Sequence, residues 1–166
     1  TESVKKTTSP SMDIQIASNF ERLLFDIMSQ SNEKTASAMN LFEEKGKLTV
    51  ERQDLNIISN IFASESTHQE DVNKIISNVH ELHSYLIDPH TATGINASRK
   101  TNDSDRMNFT LSTAHPVKFS ETVEMAVGKN LDLLINYKDL FTKDEKIHYI
   151  QNNADEVKKF ILENKN

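Results

Sequence analysis

The sequence predicts a chain that is rich in α-helix and has only a few short strands. Apolar residues recur at spacings of three and four over several stretches, most clearly in the stripe from Val72 to Leu86. Alternation of apolar and polar residues is confined to three short pieces, near residues 12–16, 109–113 and 147–151. These strands are too few and too scattered to form a sheet by themselves.

Composition limits the classes of protein to which the chain can belong. It has 166 residues, a formal net charge of −6, 36% hydrophobic residues and no cysteine. The absence of cysteine excludes a disulfide scaffold, a thiolate zinc site and a cysteine nucleophile, and it favours a reducing, cytoplasmic location. The acidic balance argues against a nucleic-acid partner, and no apolar run reaches the roughly 20 residues that cross a membrane.

Three helices are predicted in the first part of the chain. A capping box of Ser18 and Glu21 is expected to start the first one. The second is predicted over residues 32–45, and Gly46 is suited to the left-handed conformation of its C-cap. A short third helix is predicted from residue 49 to 58. The side chains expected to face inward on the second helix are Ala36, Met39 and Phe42.

The longest predicted helix starts at Thr67, where Glu70 completes a second capping box. Asp88 and Pro89 end this region, and they are expected to cap and begin a helix that runs towards Lys100. The remaining predictions are a surface loop at 101–105, a helix over 120–127 that ends at Gly128, weak helix over 129–144, and a last helix that Asn153 caps and that carries Val157, Phe160 and Ile161.

Polar residues at helix starts and at a strand end are candidates for ligand binding. A helix N-terminus beside Asn19 and Arg22 suits a phosphate or carboxylate, although the favoured alternative is a capped helix whose Arg22 pairs with a neighbour. The stretch 88–94 places small polar groups at another helix start. The stretch 110–116 places hydroxyls at the end of a predicted strand, where open α/β sheets bind ligands.

Metal binding is not predicted. His80 and His83 lie three residues apart on the long helix, which is not the spacing of a zinc-protease motif, and no third ligand accompanies them. We interpret them as helix histidines at a polar edge. No serine, histidine and acid group stands out as a catalytic triad.

Taken together, several of these stretches resemble threonine synthase, a pyridoxal-phosphate enzyme. The matching residues are Ser9-Pro10-Ser11-Met12-Asp13-Ile14, Ser18-Asn19-Phe20-Glu21-Arg22-Leu23-Leu24, Asp88-Pro89-His90-Thr91-Ala92, and Leu111-Ser112-Thr113-Ala114-His115-Pro116-Val117-Lys118-Phe119. They follow the order of the family's C-terminal region and span most of the chain. The chain is therefore expected to be that C-terminal portion over residues 1–166, with a polar lead-in loop at 1–8.

The resemblance implies an α/β parent enzyme of pyridoxal-phosphate fold type II, of which this chain is an α-rich fragment. It implies conversion of O-phosphohomoserine and water to L-threonine and phosphate. The family's cofactor-binding lysine and its loop for the cofactor phosphate have no match here. They are expected upstream, so the missing N-terminal part of the same chain would be a partner and the fragment alone would be inactive.

The resemblance also implies roles for particular residues. Thr113 matches the hydroxyl that faces the cofactor's pyridine nitrogen, with Thr110 and His115 beside it. No catalytic residue is expected in this portion. The remaining candidates near the cofactor or substrate are His90, Thr91, Asn19 and Arg22.

Two alternatives stay open at this point. One is a threonine-synthase-like phospholyase, which removes phosphate without forming threonine. The other is an autonomous helical interaction module that binds a partner through the apolar stripe from Val72 to Leu86.

Overall fold

The computed structural model describes residues 4–101, 106–131, 135–137, 139 and 142–165. These residues form helices and irregular segments, and none of them lies in a strand, so the prediction of an α-rich chain is confirmed. The α-helices of the described residues are α1 (Ser18–Ile27), α2 (Asn32–Lys45), α3 (Arg52–Ile61), α4 (Gln69–His83), α5 (Pro89–Thr101), α6 (Ser120–Val127) and α7 (Ala154–Glu163). Short 3-10 helices lie at Pro10–Met12, Pro116–Phe119 and Ile135–Tyr137.

The chain divides into two compact units, Thr1–Leu133 and Leu134–Asn166. The first unit contains α1 to α6, and α4 packs against both α5 and α6. Its hydrophobic core is built largely from one face of α4, which buries four aliphatic side chains. The buried core residues are Val72, Ile75, Ile76, Val79, Ile87, Ala92 and Val123.

The second unit is small and contains α7. Asn153 caps this helix as predicted, since its side-chain oxygen accepts from the amides of Asp155 and Glu156 at 2.8 and 3.3 Å. The ring of Phe160 packs on His148, with 5.0 Å between the ring centroids.

Helix ends that depend on glycine, proline and aspartate were predicted correctly. Gly46 follows α2 with φ 62° and Gly128 follows α6 with φ 71°, both in the left-handed region that a residue without a Cβ adopts most easily. The Asp88 carboxylate accepts from the His90 amide at 2.9 Å at the start of α5, where Pro89 is the first residue.

Both predicted capping boxes are wrong. Ser18 is the first residue of α1 rather than its cap, because Ala17 holds that position and no side chain caps the helix. Likewise, α4 begins after His68, and the Thr67 hydroxyl instead accepts from the Asn96 side chain at 2.8 Å. A tertiary hydrogen bond to another helix has replaced the local one.

Two details of the apolar pattern also differ from prediction. On α2 the buried residue is Thr35, whose hydroxyl donates to the Ser31 carbonyl oxygen at 2.9 Å, while Ala36 is exposed. On α4 the predicted stripe ends before Leu82, which is 73% exposed.

The predicted strands are absent from the described residues. A 3-10 helix occupies Pro10–Met12, and residues 13–16, 109–113 and 147–151 are irregular. A strand needs a neighbour to take its backbone hydrogen bonds, and these described segments have none.

Two further predictions fall on residues that are only partly described. Positions 102–105 of the predicted loop lie outside the described residues, while Thr101 ends α5. Of the weak helix predicted over 129–144, the structure describes a 3-10 helix at Ile135–Tyr137. None of the helices in the described part of the chain combines the length and the apolar character needed to cross a membrane.

Candidate functional site

A pocket of about 670 Å³ lies in the first unit where four parts of the chain meet. We call it the central pocket. Its walls come from the N-terminal turn of residues 7–13, from the segment 64–67, from α5, and from the segment 108–113. Three of the predicted site residues, His90, Thr110 and Thr113, line it. Side chains that are 20 residues or more apart in the sequence thus share one cavity.

Thr113 is exposed at the edge of the central pocket. Within the described residues its hydroxyl has no hydrogen-bond partner, so it can donate to a ligand without losing an existing bond. Thr110 is also exposed, and its methyl group lies against Gly94 of α5. A Cβ at Gly94 would lie 3.1 Å from Thr110 Cγ2, so glycine is what allows this close approach.

The floor of the pocket is a buried polar network at the start of α5. His90 is 6% exposed, and its Nδ1 lies 2.9 Å from Asp88 Oδ1. The Thr91 hydroxyl donates to the other carboxylate oxygen, Oδ2. Thr91 is therefore buried beneath the pocket and does not line it, whereas the sequence predicted that it approaches the site.

The N-terminal turn is attached to this floor and to α4. The Ser11 amide donates to His90 Nε2 at 3.3 Å, and the Thr8 amide donates to Gln69 Oε1 at 3.0 Å. Within the turn, the Thr7 amide donates to Asp13 Oδ2 at 2.8 Å. Gln69 is not among the predicted site residues, because a glutamine in the first turn of a helix has no local signature for a partner 61 residues away.

His115 lies beside a second, smaller pocket of about 550 Å³, which Thr113 also lines. Its Nδ1 accepts from the Val117 amide at 3.2 Å and so caps the 3-10 helix at Pro116–Phe119. His115 is thus adjacent to Thr113, as expected, but it is not among the residues that line the central pocket.

Asn19 and Arg22 do not join the other candidates. Arg22 Nη1 donates to Asn19 Oδ1 at 2.7 Å on the exposed surface of α1, and Arg22 lines a separate pocket between α1 and α2. This pairing matches the alternative in which Arg22 bonds to a neighbour.

Two acidic side chains line the central pocket, and one of them, Glu65, pairs with Lys100 at 3.8 Å from outside the lining. The other is Asp13, and no lysine or arginine is among the described lining residues of the pocket. This lining by itself does not neutralise a phosphate group. Among the described residues, no cluster of histidine and acidic side chains could hold a metal ion, and His80 and His83 are no exception.

One residue of this lining suits a pyridoxal phosphate ring. The unpartnered Thr113 hydroxyl is a neutral donor at the pocket edge, which suits an unprotonated ring nitrogen. Neither a lysine, for the cofactor's aldehyde, nor an arginine, for its phosphate, is among the described lining residues. The residues present therefore suit the cofactor at its ring nitrogen.

Comparisons with known proteins show which family this chain resembles. Residues 91–161 match the family model described as threonine synthase, C-terminal. The chain is 38% identical to threonine synthase of Pseudomonas aeruginosa over 160 residues. The aligned region covers 95% of this chain and 34% of that protein. It therefore spans about a third of the length of the curated relative.

Two solved structures have the same fold. The PLP-bound threonine synthase of Brucella melitensis matches with a TM-score of 0.79 and 32% identity, over 96% of this chain and 34% of that one. The yeast threonine synthase matches with a TM-score of 0.76 and 30% identity, over 98% of this chain and 37% of that one.

The chain thus has the fold of part of a pyridoxal-phosphate enzyme of fold type II. Within that class it corresponds, in sequence and in fold, to the C-terminal portion of the threonine synthase family.

Proposed function

We propose that this chain forms one wall of the active site of a threonine synthase, which converts O-phosphohomoserine and water to L-threonine and inorganic phosphate with pyridoxal 5′-phosphate. The observation that carries the proposal is the central pocket, where Thr113, Thr110 and His90 meet. Thr113 and His90 lie in the stretches that resemble the family, Thr110 directly precedes one of them, and the described hydroxyl of Thr113 is without a partner.

Thr113 is the residue proposed to face the cofactor. Pyridoxal phosphate supplies an electron sink for the amino acid bound to it. The Thr113 hydroxyl would donate a hydrogen bond to the ring nitrogen. Because a hydroxyl carries no charge, it does not hold a proton on that nitrogen as a carboxylate would, and the ring stays largely neutral.

The other candidates would shape the wall around this contact. Thr110 and His90 line the pocket directly, and His115 fixes the chain just after Thr113 by capping the next 3-10 helix. Thr91 acts one layer below, through Asp88. Asn19 and Arg22 bond to each other in a separate region, which weakens their proposed contact with the substrate phosphate.

The rest of the site would come from outside this chain. We assign no catalytic base here, and the described pocket lining holds no lysine or arginine for a phosphate. An N-terminal part would supply the cofactor's lysine and its phosphate-binding loop. The exposed apolar side chains support this arrangement, since Met107, Phe109 and Leu111 are each at least 78% exposed beside the pocket.

The interaction-module alternative loses its main support in this structure. It required the apolar stripe of α4 to be available to a partner, but Val72, Ile75, Ile76 and Val79 are buried in the core of the first unit. Leu82 is the member of the stripe that stays exposed. A single exposed leucine is ordinary for a soluble surface.

A product assay on the intact gene product tests the proposal. The protein would be incubated with pyridoxal phosphate and O-phosphohomoserine, and threonine and inorganic phosphate would be measured together. Equal amounts of both support a synthase, whereas phosphate without threonine indicates the phospholyase. The absence of both products contradicts the proposal. The 166-residue chain alone is expected to be inactive and not to retain the cofactor.

The mass and N-terminal sequence of the natural gene product provide a second test. A preceding region with a lysine and a glycine-rich loop is expected. We also propose a cytoplasmic location, which the lack of cysteine favours.

A further inference from the structure

The hydrogen bonds of His90 define which of its nitrogens carries the proton. Its Nε2 accepts from the Ser11 amide at 3.3 Å, so this nitrogen carries no proton and presents its lone pair to the amide. The proton therefore lies on Nδ1, which donates to Asp88 Oδ1 at 2.9 Å. Both contacts are satisfied only by the neutral ring protonated on Nδ1, because a proton on Nε2 would face the amide hydrogen of Ser11.

Asp88 is placed to select this tautomer. It is fully buried, and its two carboxylate oxygens accept from the amide and Nδ1 of His90 and from the hydroxyl of Thr91. An ionised carboxylate can only accept, so the nitrogen that faces it must be the donor. The ring is also fixed in orientation by Phe119, at a centroid distance of 4.8 Å.

The turn that His90 holds forms part of the central pocket. Ser9, Met12 and Asp13 of this turn line the pocket opposite Thr110 and Thr113. The bond from Ser11 to His90 joins two parts of the chain that are 79 residues apart. The position of this wall therefore depends on an acceptor at His90 Nε2 together with the bonds between Thr8 and Gln69.

We infer that Asp88 is a positioning residue that acts through His90. Asp88 fixes the Nδ1-protonated tautomer, and the unprotonated Nε2 then accepts from the Ser11 amide and holds the turn of residues 9–13 against the pocket. We call this bond the clamp. Only the nature of the pocket's ligand rests on the proposed function. The clamp itself is a property of this chain.

Two substitutions of His90 separate the clamp from general packing. In His90→Gln the side-chain oxygen can reach the Nε2 position and accept from Ser11, whereas in His90→Asn the shorter side chain reaches only towards Asp88. Both variants lose the ring that packs on Phe119. A difference between them therefore reports the bond to Ser11.

Amide hydrogen exchange, measured on the intact gene product, gives the readout. The exchange rate of Ser11 would be divided by that of Ile76, which lies in the middle of α4 with a fully buried side chain and reports overall stability. We expect the ratio to rise roughly two- to tenfold in His90→Asn, as for loss of one hydrogen bond, and less than about twofold in His90→Gln. Equal ratios in the two variants would overturn the inference.

Imidazole ¹⁵N shifts supply a second measurement that needs no substitution of His90. The unsubstituted chain is expected to carry its proton on Nδ1. Asp88→Asn keeps a good helix cap but adds a donor group, so it is expected to move the proton towards Nε2 and to speed Ser11 exchange. A ring protonated on Nε2 in the unsubstituted chain contradicts the inference.

The intact enzyme distinguishes this inference from the proposed function. There, His90→Asn is expected to raise KM severalfold more than His90→Gln, because the pocket wall is displaced. If the unsubstituted enzyme forms no threonine, the proposed function fails while the exchange ratios still decide the clamp. Equal KM values for the two variants in an active enzyme contradict the clamp's role in the pocket.

Discussion

Two regions at the central pocket differ in how far this chain buries and pairs their side chains. The buried helix start, residues 88–92, has its described polar side chains paired, and Asp88 is 0% exposed. The exposed segment, residues 107–113, presents alternating apolar side chains to solvent, and Phe109 is 83% exposed. The first region can form from local bonds and packing on α4, whereas the apolar side chains of the second are left largely exposed by the described residues.

The buried helix start is therefore expected to determine stability, and the exposed segment is expected to determine binding. Changes in the buried helix start should lower the free energy of unfolding, because buried groups lose partners or contacts. Changes in the exposed segment should leave it nearly unchanged and affect what the pocket binds. Substitutions in the buried helix start therefore test stability, and substitutions in the exposed segment test binding at the pocket.

The core that supports the buried helix start is the first target. Ile76 is fully buried in the same cluster as Ala92, so Ile76→Ala should lower the free energy of unfolding by about 2–5 kcal/mol. The matched control is Leu82→Ala on the same helix, where the side chain is 73% exposed and the expected change is within about 0.5 kcal/mol. Urea denaturation followed by circular dichroism measures both. Similar losses would show that the exposed face of α4 is also packed.

The same substitution in both regions gives the sharpest contrast. Thr91→Val removes a buried donor to Asp88 and should cost about 1–3 kcal/mol of unfolding free energy. Thr113→Val removes an exposed hydroxyl and should change it by less than about 0.5 kcal/mol. Denaturation midpoints of the two variants, measured side by side, test this. A larger loss in Thr113→Val would reverse the comparison.

The smallest effect is expected from a change at the contact between Gly94 and Thr110. Gly94→Ala adds about 1 kcal/mol of helix propensity to α5 but brings a Cβ to 3.1 Å from Thr110 Cγ2. Because Thr110 is exposed, we expect it to move, with a net gain in unfolding free energy below about 1 kcal/mol and a severalfold loss of activity in the intact enzyme. A net loss of stability would mean that the exposed segment is held more rigidly.

Helix ends were predictable from the sequence wherever one residue type determines the backbone. Gly46, Gly128 and Asn153 end or begin helices at the expected positions, since left-handed backbone and side-chain capping are local properties. The two capping boxes were wrong because Thr67 has a better partner in Asn96, and because Ser18 lies one position inside α1. A tertiary contact thus decided the case of Thr67.

The candidate site was predictable in its residues but only partly in its geometry. The resemblance to the family grouped Thr110, Thr113 and His90, and the structure brings these three to one pocket. It also grouped Arg22, which lies elsewhere. The strand predicted over the described residues 109–113 is absent, because strand formation depends on partners that a local pattern does not specify.

Cofactor uptake by the intact gene product tests the central claim, that Thr113 of this chain faces the pyridine nitrogen. The visible absorbance of bound pyridoxal phosphate would be titrated for the unsubstituted protein, Thr113→Ser and Thr113→Val. We expect the first two to bind alike, since serine keeps the hydroxyl, and Thr113→Val to bind roughly tenfold or more weakly with a shifted absorbance maximum. Identical titrations and spectra for all three proteins would contradict the claim, as would an intact protein that takes up no cofactor.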